Sequence, residues 1–101
     1  MRSPNTRIFD GDARRPTFMQ FLSGMAVQTL VHLGKMSNPV TNETKVDLPN
    51  AQYSIDLLAV LQQKTKGNLT AEEDAYLANA LRDLRMEYVE VAKTAKPADG
   101  A

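Results

Sequence analysis

Cysteine and tryptophan are absent from these 101 residues, histidine occurs once, and 12 Lys and Arg are balanced by 12 Asp and Glu. Each shortage removes a class of function. Without cysteine there is no disulfide framework, thiolate metal site or cysteine nucleophile. With His32 alone, no histidine metal cluster can be assembled within one chain, and no H-E-x-x-H pattern occurs. Zero net charge gives no overall attraction to nucleic acid or anionic lipid. Walker and G-x-G-x-x-G patterns are missing too. The richest apolar stretch, Phe18 to Gly34, contains Gln20, Ser23, Gln28, Thr29 and His32, which makes it too short and too polar for a membrane span. Asp10-Gly11-Asp12 follows Ile8-Phe9 where a secretory signal needs an apolar run, so the expected location is cytoplasmic.

What is present is helical punctuation. Its densest example is Lys64-Thr65-Lys66-Gly67-Asn68-Leu69-Thr70-Ala71-Glu72-Glu73. Gly67 can take the left-handed conformation that closes a helix, and Lys64 and Lys66 place positive charge at that helix's C-terminus. Thr70 and Glu73 form the capping box of the next helix, with Glu72, Glu73 and Asp74 in its first turn. The run predicts a tight helical hairpin. Thr17 and Gln20 outline a second capping box, and Gly34 stops the helix that follows.

The expected organisation is a flexible tail over residues 1–16, one helical domain over 17–93 and a flexible tail over 94–101. Helix one runs from Thr17 to Leu33, and a long connection follows to Pro49. Such a connection either packs over the core or carries function. Helix two starts near Asp47 to Asn50 and ends at Lys66. Its predicted stripe is Ala51, Ile55, Leu58, Leu61 or Gln62, and Thr65, broadened by Leu57 and Val60. Helix three, from Ala71 to about Lys93, carries the seam Leu77, Leu81, Leu84, Tyr88 and Val91. Pairing the last two helices about Gly67 sets Leu61 against Leu77, Leu58 against Leu81 and Ile55 against Leu84. It also predicts a partly shielded Asp56–Arg85 ion pair. The fold class is all-α: three helices, with helices two and three an antiparallel hairpin and helix one packed across them.

Helix one holds the candidate site. Phe18, Met19, Leu22, Met25, Ala26, Leu30 and Leu33 share one arc, an ordinary core face. Phe21, Val27 and Val31 lie on the other side with Gln20, Gly24 and Gln28, and residues 18–34 contain no Lys, Arg, Asp or Glu. Two partner helices cannot surround such a helix. The second face needs cover from the long loop, a second copy of the chain or another protein. The candidate interaction residues are therefore Phe21, Gly24, Val27, Gln28 and Val31, with Gly24 allowing close backbone approach.

The alternative site is an anion or nucleic-acid site at Lys64, Lys66, Gly67 and Asn68, aided by Arg2, Arg7, Arg14 and Arg15. Glu72, Glu73 and Asp74 would repel such a ligand, and no aromatic stacking platform accompanies the arginines. Nucleic acid accordingly ranks below a protein partner. His32 could act as a general base, but at the end of an apolar helix it reads as a terminal polar residue. No catalytic residue, metal ligand or cofactor is assigned.

Phe18 to Lys93 also resembles a small bacterial family, domain of unknown function 1844. The resemblance rests on His32-Leu33-Gly34, Asn38-Pro39, Ile55-Asp56-Leu57-Leu58, Lys64 to Thr70 and Leu84-Arg85-Met86. It implies a bacterial cytosolic helical domain and carries over no activity, ligand or catalytic residue. The expected function is a non-enzymatic protein-interaction or self-association module, most simply a homodimer.

Overall fold

The computed structural model describes residues 16–94. Apart from Pro16 and Thr94, the two expected tails lie outside the described residues. Three helices carry the structure: α1 (Phe18–His32), α2 (Leu48–Lys64) and α3 (Ala71–Thr94). Among the described residues there is no strand, only an isolated antiparallel bridge between Leu33 and Val46.

Each helix begins where a side chain satisfies backbone N–H groups that have no partner within the helix. The Gln20 N–H donates to Thr17 Oγ1 at 3.0 Å, and the Thr17 N–H donates to Gln20 Oε1 at 3.2 Å. Thr70 and Glu73 repeat this box at α3, at 3.1 and 2.9 Å. At α2 the cap is Asp47, whose Oδ1 accepts the Asn50 N–H at 3.2 Å while its Oδ2 accepts from Asn50 Nδ2 at 2.7 Å. These bonds to Asn50 hold the Asp47 carboxyl below its ordinary pKa.

The end of α1 is built more tightly. The Gly34 N–H donates to Val31 O at 3.0 Å and the Lys35 N–H to Leu30 O at 2.9 Å, the paired bonds of a Schellman motif. Gly34 has φ +76°, and a Cβ there would stand 2.7 Å from Val46 Cγ2. Only glycine meets both conditions. Gly67 also has a positive φ, +88°, but open space surrounds its missing side chain.

Two clusters form the core. Leu22, Ile55, Leu58, Leu77, Leu81 and Leu84 make the larger one, with Leu61 packed against it, so the expected hairpin residues do come together. Leu33, Ala51 and Val91 make the smaller one. The second cluster joins the end of α1, the start of α2 and the end of α3, so the helices run up, down and up. The seam on α3 holds, with Tyr88 half-buried.

Two expectations are corrected. The α2 stripe is narrower than predicted: Leu57 and Val60 are 38% and 52% exposed, whereas Ser54 is buried. Two neighbouring helices cover less of α2 than its apolar content allows. The Asp56–Arg85 pair is not formed; Asp56 Oδ1 instead accepts a hydrogen bond from Gln52 Nε2 at 2.9 Å, one turn back on its own helix. The local partner requires less ordering than a long arginine reaching across solvent, and an exposed ion pair contributes only ~0–1 kcal/mol.

Two predictions follow from the caps and turns. Gly34→Ala combines backbone strain with a steric clash and should cost more than Gly67→Ala, which carries the strain of roughly 1–2 kcal/mol alone; urea denaturation of both variants measures the order. Asp47→Ala should cost about 1 kcal/mol. Because the folded pKa of Asp47 is lowered, its charged form stabilises the fold above the unfolded value of about 3.9, and that contribution disappears as pH falls through the folded value. The stability difference between native and Asp47→Ala chains should therefore shrink in acid, as denaturation at several pH values would record.

Candidate functional site

Helix α1 reaches its neighbours through Leu22, which is 1% exposed, and through half-buried Phe18, Met25, Ala26 and Leu30. Thr29 is fully buried on the same side and satisfies its hydroxyl by donating to Met25 O at 2.8 Å. This is the expected core face, except that Met19 is 36% exposed at its edge.

On the outer face, Phe21 is 52% and Val27 is 42% exposed, and Gln20, Ser23, Gly24 and Gln28 are also exposed. Val31 departs from this group. It is only 8% exposed and borders a hollow of about 210 Å³ whose other walls include Asn38, Thr41 and Glu43 of the connecting loop. The loop thus covers the last turn of the outer face and leaves the rest open. The candidate set is reduced to Phe21, Gly24, Val27 and Gln28, with Val31 corrected to a buried contact between loop and helix.

Asn38 gives the loop its shape. Its Oδ1 accepts from the N–H groups of Val40 and Thr41 at 2.7 and 3.3 Å, and its own N–H donates to Glu43 O at 2.7 Å. At the loop's base the Asp47 N–H donates to His32 O at 2.6 Å. A Lys35–Glu87 ion pair at 3.3 Å ties the loop's start to α3. His32 itself is half-buried, its Nε2 standing 3.1 Å from Gln28 Nε2. Asp47 lines the same hollow as His32, but its carboxylate is committed to Asn50.

The alternative site lies at the turn between α2 and α3. Lys66 and Gly67 help line a hollow of about 460 Å³, but so does Asp74, and Lys64 and Asn68 lie outside its lining. The capping box engages the Glu73 N–H of α3, and Glu72, Glu73 and Asp74 occupy its first turn. The hydroxyl of Thr65 donates back to Leu61 O at 2.6 Å. The charges and donors here serve the helix ends. Among the described residues, no group of three or more His, Asp or Glu is arranged to hold a metal ion, and no helix is long and apolar enough to cross a membrane.

Sequence reasoning missed one exposed apolar stripe: Tyr53, Leu57 and Val60 on α2, spaced four and three residues apart. Its spacing is as visible in the sequence as that of α3. What the sequence withholds is which of two apolar stripes on one helix meets the core.

Fold and surface together define a small all-α domain of three helices with an uncharged, partly apolar outer face on the first. The chain belongs to the DUF1844 family, a domain of unknown function, whose family model matches residues 15–90. No curated protein and no solved structure matches it.

The charge arrangement at the turn between α2 and α3 leads to a simple expectation. Titrating inorganic phosphate into the protein should leave the amide resonances of Thr70 to Glu73 unshifted; saturable shifts confined to them would establish an anion site.

Proposed function

We propose that this domain is a non-enzymatic protein-interaction module that associates with itself through the outer face of α1, and that it does so in the bacterial cytoplasm. The observation that carries the reading is the exposure of Phe21 and Val27 on a helix without a single Lys, Arg, Asp or Glu. Helices that end their packing at solvent ordinarily turn charged residues outward, as α3 does with Arg82, Arg85 and Lys93. An uncharged outer face is suited to cover by another protein surface.

The loop supports the same reading. It buries Val31 and leaves Phe21, Gly24 and Val27 exposed, so the cover that the loop gives begins one turn beyond Val27. The chain's zero net charge keeps electrostatic opposition between copies small. The rival reading, an anion or nucleic-acid binder at Lys64 to Asn68, has the acidic first turn of α3 against it.

Val27→Glu tests the reading. The residue is exposed, so the fold and its helical circular dichroism should be retained, while a carboxylate brought into an apolar contact should weaken association by at least tenfold. Sedimentation equilibrium of the two chains measures the change. A native chain that stays monomeric at high micromolar concentration would overturn self-association, and salt-sensitive binding of RNA or DNA would favour the rival.

A further inference from the structure

His32 ends the stripe that begins at Phe21. At about 100° per residue, Phe21, Gln28 and His32 fall within roughly 40° of one another around α1, with Gln28 one turn before His32. Gln28 is exposed, His32 is half-buried, and their Nε2 atoms stand 3.1 Å apart. No other ionisable side chain occurs between Phe18 and His32.

A hydrogen bond between these two nitrogens fixes which of them donates. The amide nitrogen is a donor only, so Gln28 Nε2 donates and His32 Nε2 accepts. An imidazole that accepts at Nε2 is neutral and carries its proton on Nδ1. The Gln28 oxygen is then directed away from the ring. Protonation removes the acceptor, because both ring nitrogens become donors, and Gln28 can meet the new Nε2–H only through Oε1. The amide has to turn over about its last bond, which leaves its N–H groups outward.

We propose that His32 is a pH switch for the outer face of α1. Neutral, it holds the Gln28 amide with the oxygen outward; protonated, it reverses that amide and puts a charge on a helix that otherwise has none. Among the described residues Gln28 is the ring's hydrogen-bond partner. The charged groups that line the hollow beside the ring are Glu43, Lys45 and Asp47, and the Asp47 carboxylate is committed to Asn50. Neither α2 beyond its cap nor α3 contributes to that lining.

A contact made with one state of the face is mismatched to the other. A donor that met Gln28 Oε1 would meet N–H groups instead, and the imidazolium would bring charge to the edge of an uncharged contact. Association through this face should therefore weaken as pH falls. That consequence rests on the self-association reading, whereas the switch itself belongs to a single chain.

NMR spectra recorded between about pH 8 and pH 5, the interval in which histidine characteristically changes charge, read the switch directly. At the alkaline end the imidazole nitrogen shifts should place the proton on Nδ1, and the Gln28 side-chain amide should then shift with the same midpoint as the ring. His32→Gln keeps a polar group near the position of Nε2 and cannot titrate; with its helical circular dichroism intact, its Gln28 amide should be independent of pH. A neutral ring with its proton on Nε2, or a Gln28 amide that does not follow the ring, would overturn the switch. Sedimentation equilibrium at both ends of the range should find association several-fold weaker in acid for the native chain and unchanged for His32→Gln. Equal association of the native chain at both ends would overturn the link between switch and contact. A chain that is monomeric at every pH overturns self-association alone, since the Gln28 titration decides the switch without it.

Discussion

The closure at Gly34 is the constraint on which the rest of the structure depends. One residue ends α1 in the left-handed conformation, and its missing side chain lets Val46 approach so that Leu33 and Val46 can bridge. The next residue, Asp47, donates its N–H to His32 O and caps α2 with its carboxylate. The start of α2 is thereby fixed beside the end of α1. From there the direction of α2 follows, and the tight turn at Gly67 returns α3 parallel to α1.

This closure also divides the outer face of α1. A loop that leaves and rejoins the same point can cover only what lies near that point, which here is Val31. Phe21, Gly24 and Val27 lie one to three turns back from Val31 and stay exposed. The candidate interaction face is thus a by-product of loop placement as much as of helix sequence. The stripe of Tyr53, Leu57 and Val60 on α2 is the competing surface. It differs in being bordered by Asp56 and Lys64, whereas the α1 face carries no charged residue for two copies to oppose.

Local chemistry was legible in the sequence. Both capping boxes, the glycine stops and the α3 seam depend on residues a few positions apart, whose spacing carries the geometry directly. The parts that were not legible depend on distant residues. Val31 looked like its neighbours on the helix wheel because its burial comes from a loop shaped by Asn38, further along the chain. Leu57 and Val60 fit a core stripe as well as Leu58 does, and only the number of packing partners decides between them. Asp56 bonds Gln52 one turn back on its own helix, a local choice that the hairpin register pointing to Arg85 does not encode. The legible signals consequently fixed the fold class better than they fixed the candidate face.

Amide NMR spectra recorded over a dilution series, from high to low micromolar protein, test the central claim most directly. The account predicts concentration-dependent shifts that centre on Gly24 and extend from Gln20 to Gln28, with the α2 stripe and the α2–α3 turn unchanged. A spectrum independent of concentration, or shifts centred on Tyr53, Leu57 and Val60, would contradict it.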